Sequence, residues 1–271
     1  MSAPEVSVVV VAWRAKDDVL ACLASLEEHA GVAYEAIVVD DASGDGTPEA
    51  VGARFPAATV VAKPVNEGLS KGRNDALPHV RGRYVLMLDA DTLVTPGAIP
   101  RLVRTLEEQP EVGLVGPRLV YPDGRLQLSC RRWPPFLIPL LRRGPLARLL
   151  PDPPVHRRHL MSDWDHAQER PFVYVIGAAQ MWRADLPQQI GRYDENVSSY
   201  GGEDVDWCLR VWAAGLQVRY VPDAAIVHVF QQATRRKLYG RKSWRAFRDW
   251  YYLQWKHRRL RGSPVLAEAN A

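Results

Sequence analysis

Cysteine is almost absent from these 271 residues: Cys22, Cys130 and Cys208 are odd in number and widely spaced. That pattern excludes a small disulfide framework and matches no cysteine-based zinc site, so a reducing cytoplasm is the expected compartment. Long hydrophobic runs are also missing, and none approaches the roughly 20 apolar residues of a membrane span. The opening "MSAPEVSVVVVAW" has neither a basic n-region nor a cleavage site. The sequence therefore reads as neither an integral nor a secreted protein. It contains no visible internal repeat.

What is present suffices for a substantial core. Hydrophobic residues make up 47% of the chain, enough for one large α/β domain or two small ones. The net charge of +4 hides an asymmetry, because residues 231–262 hold eleven Lys and Arg against one Asp, a local +10. A basic, aromatic-rich tail of this kind suits an anionic membrane surface, and nucleic acid would suit it too. The plainer reading is a basic helix packed on the domain through Trp244, Phe247, Tyr251 and Trp255.

The pattern along the chain is an alternation of strands and helices. "VSVVVVAW" (6–13) and "EAIVVDDASGDGT" (35–47) are continuous β-branched runs ending in polar turns, as expected for strands buried on both faces of a parallel sheet. Between them, Val19, Leu20, Leu23 and Leu26 recur at helical spacing, and a second helix is expected with Thr47 as N-cap and Pro48 at N1. "ATVVAK" and "RYVLMLDAD" read as further strands, and "TPGAIPRLVRTLEEQ" as a helix. "VGLVGPRLVYPDGRLQ" suggests a strand and a hairpin turned at Pro122-Asp123-Gly124. Residues 131–170 are dense in Pro, Arg and Leu and read as an excursion over the surface, after which "LQVRYVPDAAIVHVF" suggests a short strand pair. Such a doubly wound sheet binds ligands at the carboxyl ends of its strands.

Four polar clusters fall at those ends: Asp40 with Asp41, Asn66 to Asn74, Asp89 with Asp91, and Glu203 with Asp204. Two carboxylates one residue apart repel each other unless a positive group lies between them. Asp89 and Asp91 therefore suggest a hard divalent cation that keeps open positions for water and a diphosphate. His228 ends an apolar run and could add a nitrogen ligand, or be structural. Glu203 and Asp204 open a predicted helix, where they could simply complement its dipole. As a functional pair, one would be a general base for an acceptor hydroxyl and the other would position it. "NEGLSKGRNDAL" (66–77) resembles a phosphate-cradling loop, yet is neither a Walker A loop nor a dinucleotide fingerprint.

Taken in order over about residues 5–230, "IVVDDASGDGT", "NEGLSKGRNDAL", "LMLDADTLVTPGAI", "GPRLVYPDGRLQ", "RRWP", "MSDWDH", "VIGAAQMWR", "GRYDENVSSYGGEDVDWCLR" and "YVPDAAIVH" resemble inverting family 2 glycosyltransferases of the GT-A fold, in particular the bacterial rhamnosyltransferase-like group. The resemblance implies an α/β fold whose doubly wound, mostly parallel central sheet carries a small antiparallel acceptor-side part. It divides the chain into a catalytic domain over 1–230, with a nucleotide-binding half (1–120) and an acceptor-binding half (121–230), followed by a basic helical tail (231–271).

The same resemblance assigns roles. Asp41 would bond the nucleotide base, with Asp40 beside it and Ala12 lining the pocket, while Arg73 and Asn74 hold the nucleotide. Asp89, Ala90 and Asp91 match the DXD motif. Asp91 would be the direct metal ligand, Asp89 would be shared between ribose and metal, and His228 would complete the site for Mg²⁺ or Mn²⁺. Asp204 matches the catalytic base, Glu203 its acceptor-binding neighbour, and Gly177, Ala178 and Trp182 lie on the acceptor side. The partners implied are a nucleotide-sugar donor, for which dTDP-rhamnose is suggested, a glycan or lipid-linked acceptor, and an anionic membrane at its cytoplasmic face, with no nucleic acid. Oligomeric state is left open, a homodimer included. Two departures stand out: Trp13-Arg14 replaces the usual Tyr-Asn after the first strand, and "QATRR" (232–236) without a membrane span replaces the Gln-x-x-Arg-Trp of processive members. Competing readings are a sugar-phosphate nucleotidyltransferase, whose N-terminal glycine signature is missing here, and a non-catalytic nucleotide-sugar-binding protein.

Overall fold

Both faces of the first strand are buried, which explains its unbroken run of valines. Val6, Val8, Val10 and Ala12 face one core cluster and Val9 faces a second. The computed structural model describes residues 3–136, 153–197, 202–229 and 241–271. In chain order the elements are β1 (Val6–Ala12), α1 (Lys16–His29), β2 (Tyr34–Asp40), α2 (Thr47–Arg54), β3 (Thr59–Ala62), α3 (Leu69–Ala76), β4 (Tyr84–Asp89), β5 (Thr92–Val94), α4 (Ala98–Glu108) and β6 (Val112–Val120). They continue with β7 (Cys130–Arg131), α5 (Pro154–Leu160), β8 (Arg170–Pro171), β9 (Tyr174–Val175), β10 (Ala179–Arg183), α6 (Leu186–Ile190), α7 (Gly202–Ala213), β11 (Gln217–His228), α8 (Arg241–Lys256) and α9 (Ala267–Asn270).

The main sheet runs β3-β2-β1-β4-β10-β6-β11-β5, with β8 also paired to β11. The β3-β2-β1-β4 half and the β6-β11 pair are parallel, whereas β10 is antiparallel to β4 and β6, and β5 is antiparallel to β11. Helices α1, α2 and α4 cover one face through Val19, Leu23, Leu26, Val51, Ile99, Leu102 and Leu106. Helices α7 and α8 cover the other through Trp207, Cys208, Val211, Trp212 and Leu253. Each fully buried Val, Leu or Ile contributes about 1.5–3 kcal/mol.

The connection from β4 to β5 forces the sheet to curl. The two strands lie four places apart in the sheet order, which is about 19 Å in a flat sheet, yet three residue steps span at most about 10 Å. The far edge must therefore swing round to the end of β4. There β5 pairs with the end of β11, His228 opposite Thr92. Asp89 and Asp91 flank that short crossing.

Several local readings are corrected. Gly46, at φ +81°, occupies the cap position of α2 in place of Thr47, whose N–H and hydroxyl both donate to Asp45 Oδ1. Thr92–Val94 is a strand, and α4 starts only at Ala98. The proposed strand pair at 216–230 is one strand, β11, whose register with β6 shifts between Val221 and Ala225. Pro222 cannot donate to the ladder, so Pro222-Asp223 makes a bulge there and not a turn. The turn at Pro122-Asp123-Gly124 forms, closed by Tyr121 N–H to Arg125 O (2.8 Å).

The three cysteines are buried and unpaired, and burial pushes the Cys22 and Cys130 thiols up to about 12. Gly201, residues 137–152 of the Arg/Leu/Pro-rich excursion, the "QATRR" stretch and the side chain of Trp244 lie outside the described residues. Among the described residues, no helix is long and apolar enough to cross a membrane.

Candidate active site

At the β4–β5 crossing, one ligand atom from each of Asp89, Asp91 and His228 lies within 4.8 Å of the other two. His228 Nε2 is 3.3 Å from Asp91 Oδ1, and its Nδ1 is 2.7 Å from Gln127 Oε1. With the Gln127 carbonyl accepting from Nδ1–H, Nε2 is the ring nitrogen that faces Asp91. That tautomer and outer partner are the usual way an imidazole is prepared to ligate a metal. Two carboxylates and one oriented imidazole fit a divalent ion that takes oxygen and nitrogen donors and keeps other positions open. Asp89 N–H donates to Ala178 O (2.9 Å) and Thr92 Oγ1 donates to Asp89 O (2.7 Å), which fixes the backbone of the pair. Although 37% of its side-chain surface meets solvent, the surrounding protein desolvates the Asp89 carboxyl and pushes it up to about 6, with Arg73 pulling it back and Asp204 raising it further.

A buried guanidinium joins this corner to the second acid pair. Arg73, on α3, is only 1% exposed. Its Nη1 donates to Asp204 Oδ1 (2.9 Å) and its Nη2 to Gly177 O (3.2 Å), with Asp89 Oδ1 at 3.8 Å and Glu203 Oε1 at 3.9 Å. Its plane lies over the Tyr193 ring, 5.3 Å from the centroid. Burial opposes the charge, but Asp204, Tyr193, Glu203 and Asp89 together outweigh it and hold Arg73 firmly protonated. Asp204 Oδ2 accepts from Gly177 N–H (2.7 Å). Both oxygens of Asp204 are thus fixed by hydrogen-bond donors. Beside it, burial and the neighbouring Asp204 charge push Glu203 up to about 8, despite Arg73. Glu203 is thus the acid of this pair that keeps its proton toward neutral pH.

The expected nucleotide residues are placed less uniformly. Asp41 accepts from Glu67 N–H (3.0 Å) and Gly68 N–H (2.8 Å) and pairs with buried Lys63 (3.1 Å), so its oxygens shape the loop that starts α3. Lys63 also meets Glu67 (3.3 Å) and Asp75 (2.9 Å). Asp40 accepts from Ser43 N–H through Oδ2 (3.2 Å), while its Oδ1 is buried without a hydrogen-bond partner among the described residues. Ala12 O receives Asp41 N–H (2.8 Å). Trp13, 46% exposed, stands at the same rim with Arg14 stacked on it. Arg73 and Asn74, expected to hold the nucleotide, have partners within the protein. Arg73 serves the acids, and Asn74 uses its whole amide on the segment after α6, donating to Tyr193 O (3.0 Å) and Glu195 Oε1 (2.9 Å) and accepting from Tyr193 N–H (2.9 Å).

On the acceptor side, Gly177 and Ala178 reach the acids and Trp182 does not. A Cβ on Gly177 would sit 1.9 Å from Asp204 Oδ1, so only glycine allows this approach. Trp182 is fully buried between Trp207 (centroids 5.4 Å apart) and Tyr193 (6.3 Å), within the core beneath the site. Sequence reasoning missed Gln127, Lys63 and Tyr193. None carries a local signal, since each works through partners brought in by the fold.

A family model described as Glycosyl transferase family 2 matches residues 7–156, more than half of the chain. The chain is 28% identical over 231 residues to the N-acetylglucosaminyl-diphospho-decaprenol L-rhamnosyltransferase of Mycobacterium tuberculosis, an alignment covering 79% of this chain and 72% of the relative. Among solved structures, 99% of the chain superposes on 76% of the mannosyltransferase PcManGT of Pyrobaculum calidifontis, in complex with GDP-Man and Mn²⁺, at TM-score 0.56 and 20% identity. GalNAc-T7 with UDP, GalNAc and Mn²⁺ gives TM-score 0.62 at 17% identity, covering 83% of this chain but only 43% of that one. The curled sheet with its short antiparallel elements is the GT-A fold, and the chain belongs to glycosyl transferase family 2.

Proposed function

We propose that the protein transfers a sugar with inversion from a nucleotide-sugar donor to a hydroxyl of a lipid-linked glycan, with Asp204 as the general base. The observation that carries this reading is Asp204 itself, 5% exposed, with one oxygen accepting from the Arg73 guanidinium and the other from Gly177 N–H. Asp204 takes the proton of the acceptor hydroxyl, the freed oxygen bonds to the anomeric carbon, and the bond from that carbon to the nucleoside diphosphate breaks. The transition state resembles an oxocarbenium ion. Glu203, protonated at neutral pH, donates a hydrogen bond to the acceptor. Asp89, Asp91 and His228 would hold a divalent cation, Mg²⁺ or Mn²⁺, which when bound supplies positive charge against the departing diphosphate.

The name of the mycobacterial relative supports rhamnose as the sugar and a polyprenyl diphosphate-linked N-acetylglucosamine as the acceptor, and dTDP-rhamnose is the donor proposed from the sequence resemblance. A membrane-bound acceptor also accounts for the exposed side of the end of α8 and of the turn that follows it. There Trp255 is 63% exposed, Arg258 stacks over it at 5.0 Å, and Arg259 and Arg261 are exposed. Such a face suits anionic headgroups.

The test is rhamnosyl transfer from dTDP-rhamnose to that acceptor in phosphatidylglycerol or phosphatidylcholine vesicles, for wild type and Asp204→Asn. Transfer should fall by about 10²–10⁴-fold in the variant, the usual contribution of a general base, with donor affinity within a few-fold. Full activity in Asp204→Asn sinks the assignment of the base, and equal rates in the two lipids sink the membrane face.

A further inference from the structure

The basic C-terminal helix does more than carry charge, because its inner face grips the helix that bears the two buried acids. Asp206 lies two residues beyond Asp204 on α7 and is completely buried. Its Oδ1 takes His257 Nε2 (2.8 Å) and Lys256 Nζ (2.7 Å), and its Oδ2 takes Arg210 Nε (2.8 Å). Burial alone would raise this carboxyl, yet bonds and charges from His257, Arg210 and Lys256 carry it below the ordinary carboxylate range. Only Arg210 comes from α7 itself. The other two partners, Lys256 and His257, belong to the end of α8 and the residue after it.

A second set of bonds runs from α8 to the segment after α6. Lys256 Nζ also bonds Asp194 Oδ2 (2.6 Å), Tyr252 donates its hydroxyl to the same oxygen (2.7 Å), and Arg248 Nη2 donates to Asn196 O (3.1 Å). That segment is the one Asn74 holds, and its Tyr193 stacks on Trp207 of α7 (4.1 Å, 11°) beneath the Arg73 guanidinium. Lys256 therefore bridges the two supports of the site: α7, which presents Asp204, and the 193–196 segment, which backs Arg73.

We propose that Lys256 and His257 are positioning residues for Asp204, so that α8 works as a clamp that holds the general base in register with the donor cleft. The proposal rests on the reading of Asp204 as the base. Donor binding should not depend on the clamp, because the nucleotide rim is built from β1, β2 and β4 on the other side of Arg73.

The test uses the full chain in the rhamnosyl-transfer assay. Lys256→Met and His257→Leu should lower kcat by about tenfold or more, the scale of loss from a small misplacement of a reacting group, with donor KM within about threefold. His257→Gln keeps a hydrogen-bond donor at this place and should restore kcat to within about threefold of wild type. Wild-type kcat in folded Lys256→Met and His257→Leu overturns the clamp, and so does equal loss in His257→Leu and His257→Gln. Should His257→Leu not fold, Lys256→Met, whose side chain is 24% exposed, and Tyr252→Phe, which deletes one hydroxyl, decide the question by the same kcat-against-KM comparison. An active Asp204→Asn would instead indict the reading beneath the proposal, whatever these variants do.

Discussion

Asp89 and Asp91 keep 37% and 21% of their side-chain surface exposed, whereas Glu203 and Asp204 keep 3% and 7%. The first pair sits on a two-strand crossing at the mouth of the cleft, with one residue between the acids and an imidazole opposite. The second pair is adjacent in sequence, opens a helix, and is enclosed by Arg73, Gly177 and the wall of Trp207, Tyr193 and Trp182. An open corner can accept a hydrated ion together with a diphosphate, since water and ligand complete the coordination shell. In the enclosed pair, burial and the adjacent Asp204 charge favour a proton on Glu203, while the Arg73 guanidinium and Gly177 N–H bond the two oxygens of Asp204. In the proposed mechanism the binding of charge and the handling of a proton are kept apart, and Arg73 reaches both pairs.

Gly177→Ala attacks the enclosed pair most directly. The added Cβ would stand 1.9 Å from Asp204 Oδ1, so either the carboxylate or the strand entry at β10 must move. A displacement of about 1 Å at a reacting group costs on the order of 10²-fold in rate. The expected outcome is a loss of that size in kcat, with donor affinity little changed because the open corner is untouched. Isothermal titration with donor nucleotide and a transfer assay separate the two quantities, and a fully active Gly177→Ala would show that the close approach has no role in catalysis.

Gln127→Ala attacks the open corner without touching a ligand. Gln127 Oε1 is 2.7 Å from His228 Nδ1, and removing it frees the imidazole to change tautomer and rotate. Loss of such an outer partner typically costs about 10–100-fold in metal affinity. Titration with Mn²⁺ followed by electron paramagnetic resonance should show weaker binding by that factor. Transfer should recover when Mn²⁺ is raised, which no defect in the enclosed pair would allow. Unchanged Mn²⁺ affinity would remove Gln127 from the site.

These two pairs also differ in how far the sequence discloses them. The acids at strand ends are legible because a continuous β-branched run followed by carboxylates leaves few alternatives: the run must be buried on both faces, and its end must meet the cleft. The partners that tune the acids are not legible. Gln127 and His228 lie 101 residues apart, and Arg73 and Asp204 131. Trp182 was expected beside Gly177 and Ala178 on the acceptor side, but along β10 successive side chains alternate. Met181 enters one core cluster and Trp182 the other.

The helix α8 shows the same limit from another side. Phe247, Tyr251 and Trp255 form the apolar stripe that hydropathy favours, yet the buried positions include Asp249, Leu253 and His257. The offset is two residues, about 200° around a helix. A buried stripe that contains an acid and an imidazole is recognisable only once Asp206 is known to face it. Charge counting fails there too, since Lys256 and His257 turn inward to acids on α7 and the 193–196 segment while Arg258, Arg259 and Arg261 remain outside.

The smallest expected effect concerns the proton on Glu203. Its carboxyl is pushed up to about 8 in the fold, above the ordinary value near 4.5 that it regains on unfolding. The folded protein therefore binds this proton more tightly than the unfolded chain does. The stability linked to it is fully present below about pH 4.5 and is lost as the pH rises through about 8. Glu203→Gln keeps the shape and a donor but has no proton to lose. Its melting temperature should match or fall slightly below that of wild type at pH 6 and exceed it at pH 8.5, by about 2–4 °C for each kcal/mol recovered in a chain of this size. The same substitution should leave the Mn²⁺ affinity of the open corner within a few-fold, because Glu203 contributes no ligand there. A melting-temperature difference between wild type and Glu203→Gln that stays constant from pH 6 to pH 8.5 would mean that Glu203 is ionised throughout, and the contrast between the two pairs would then reduce to exposure alone.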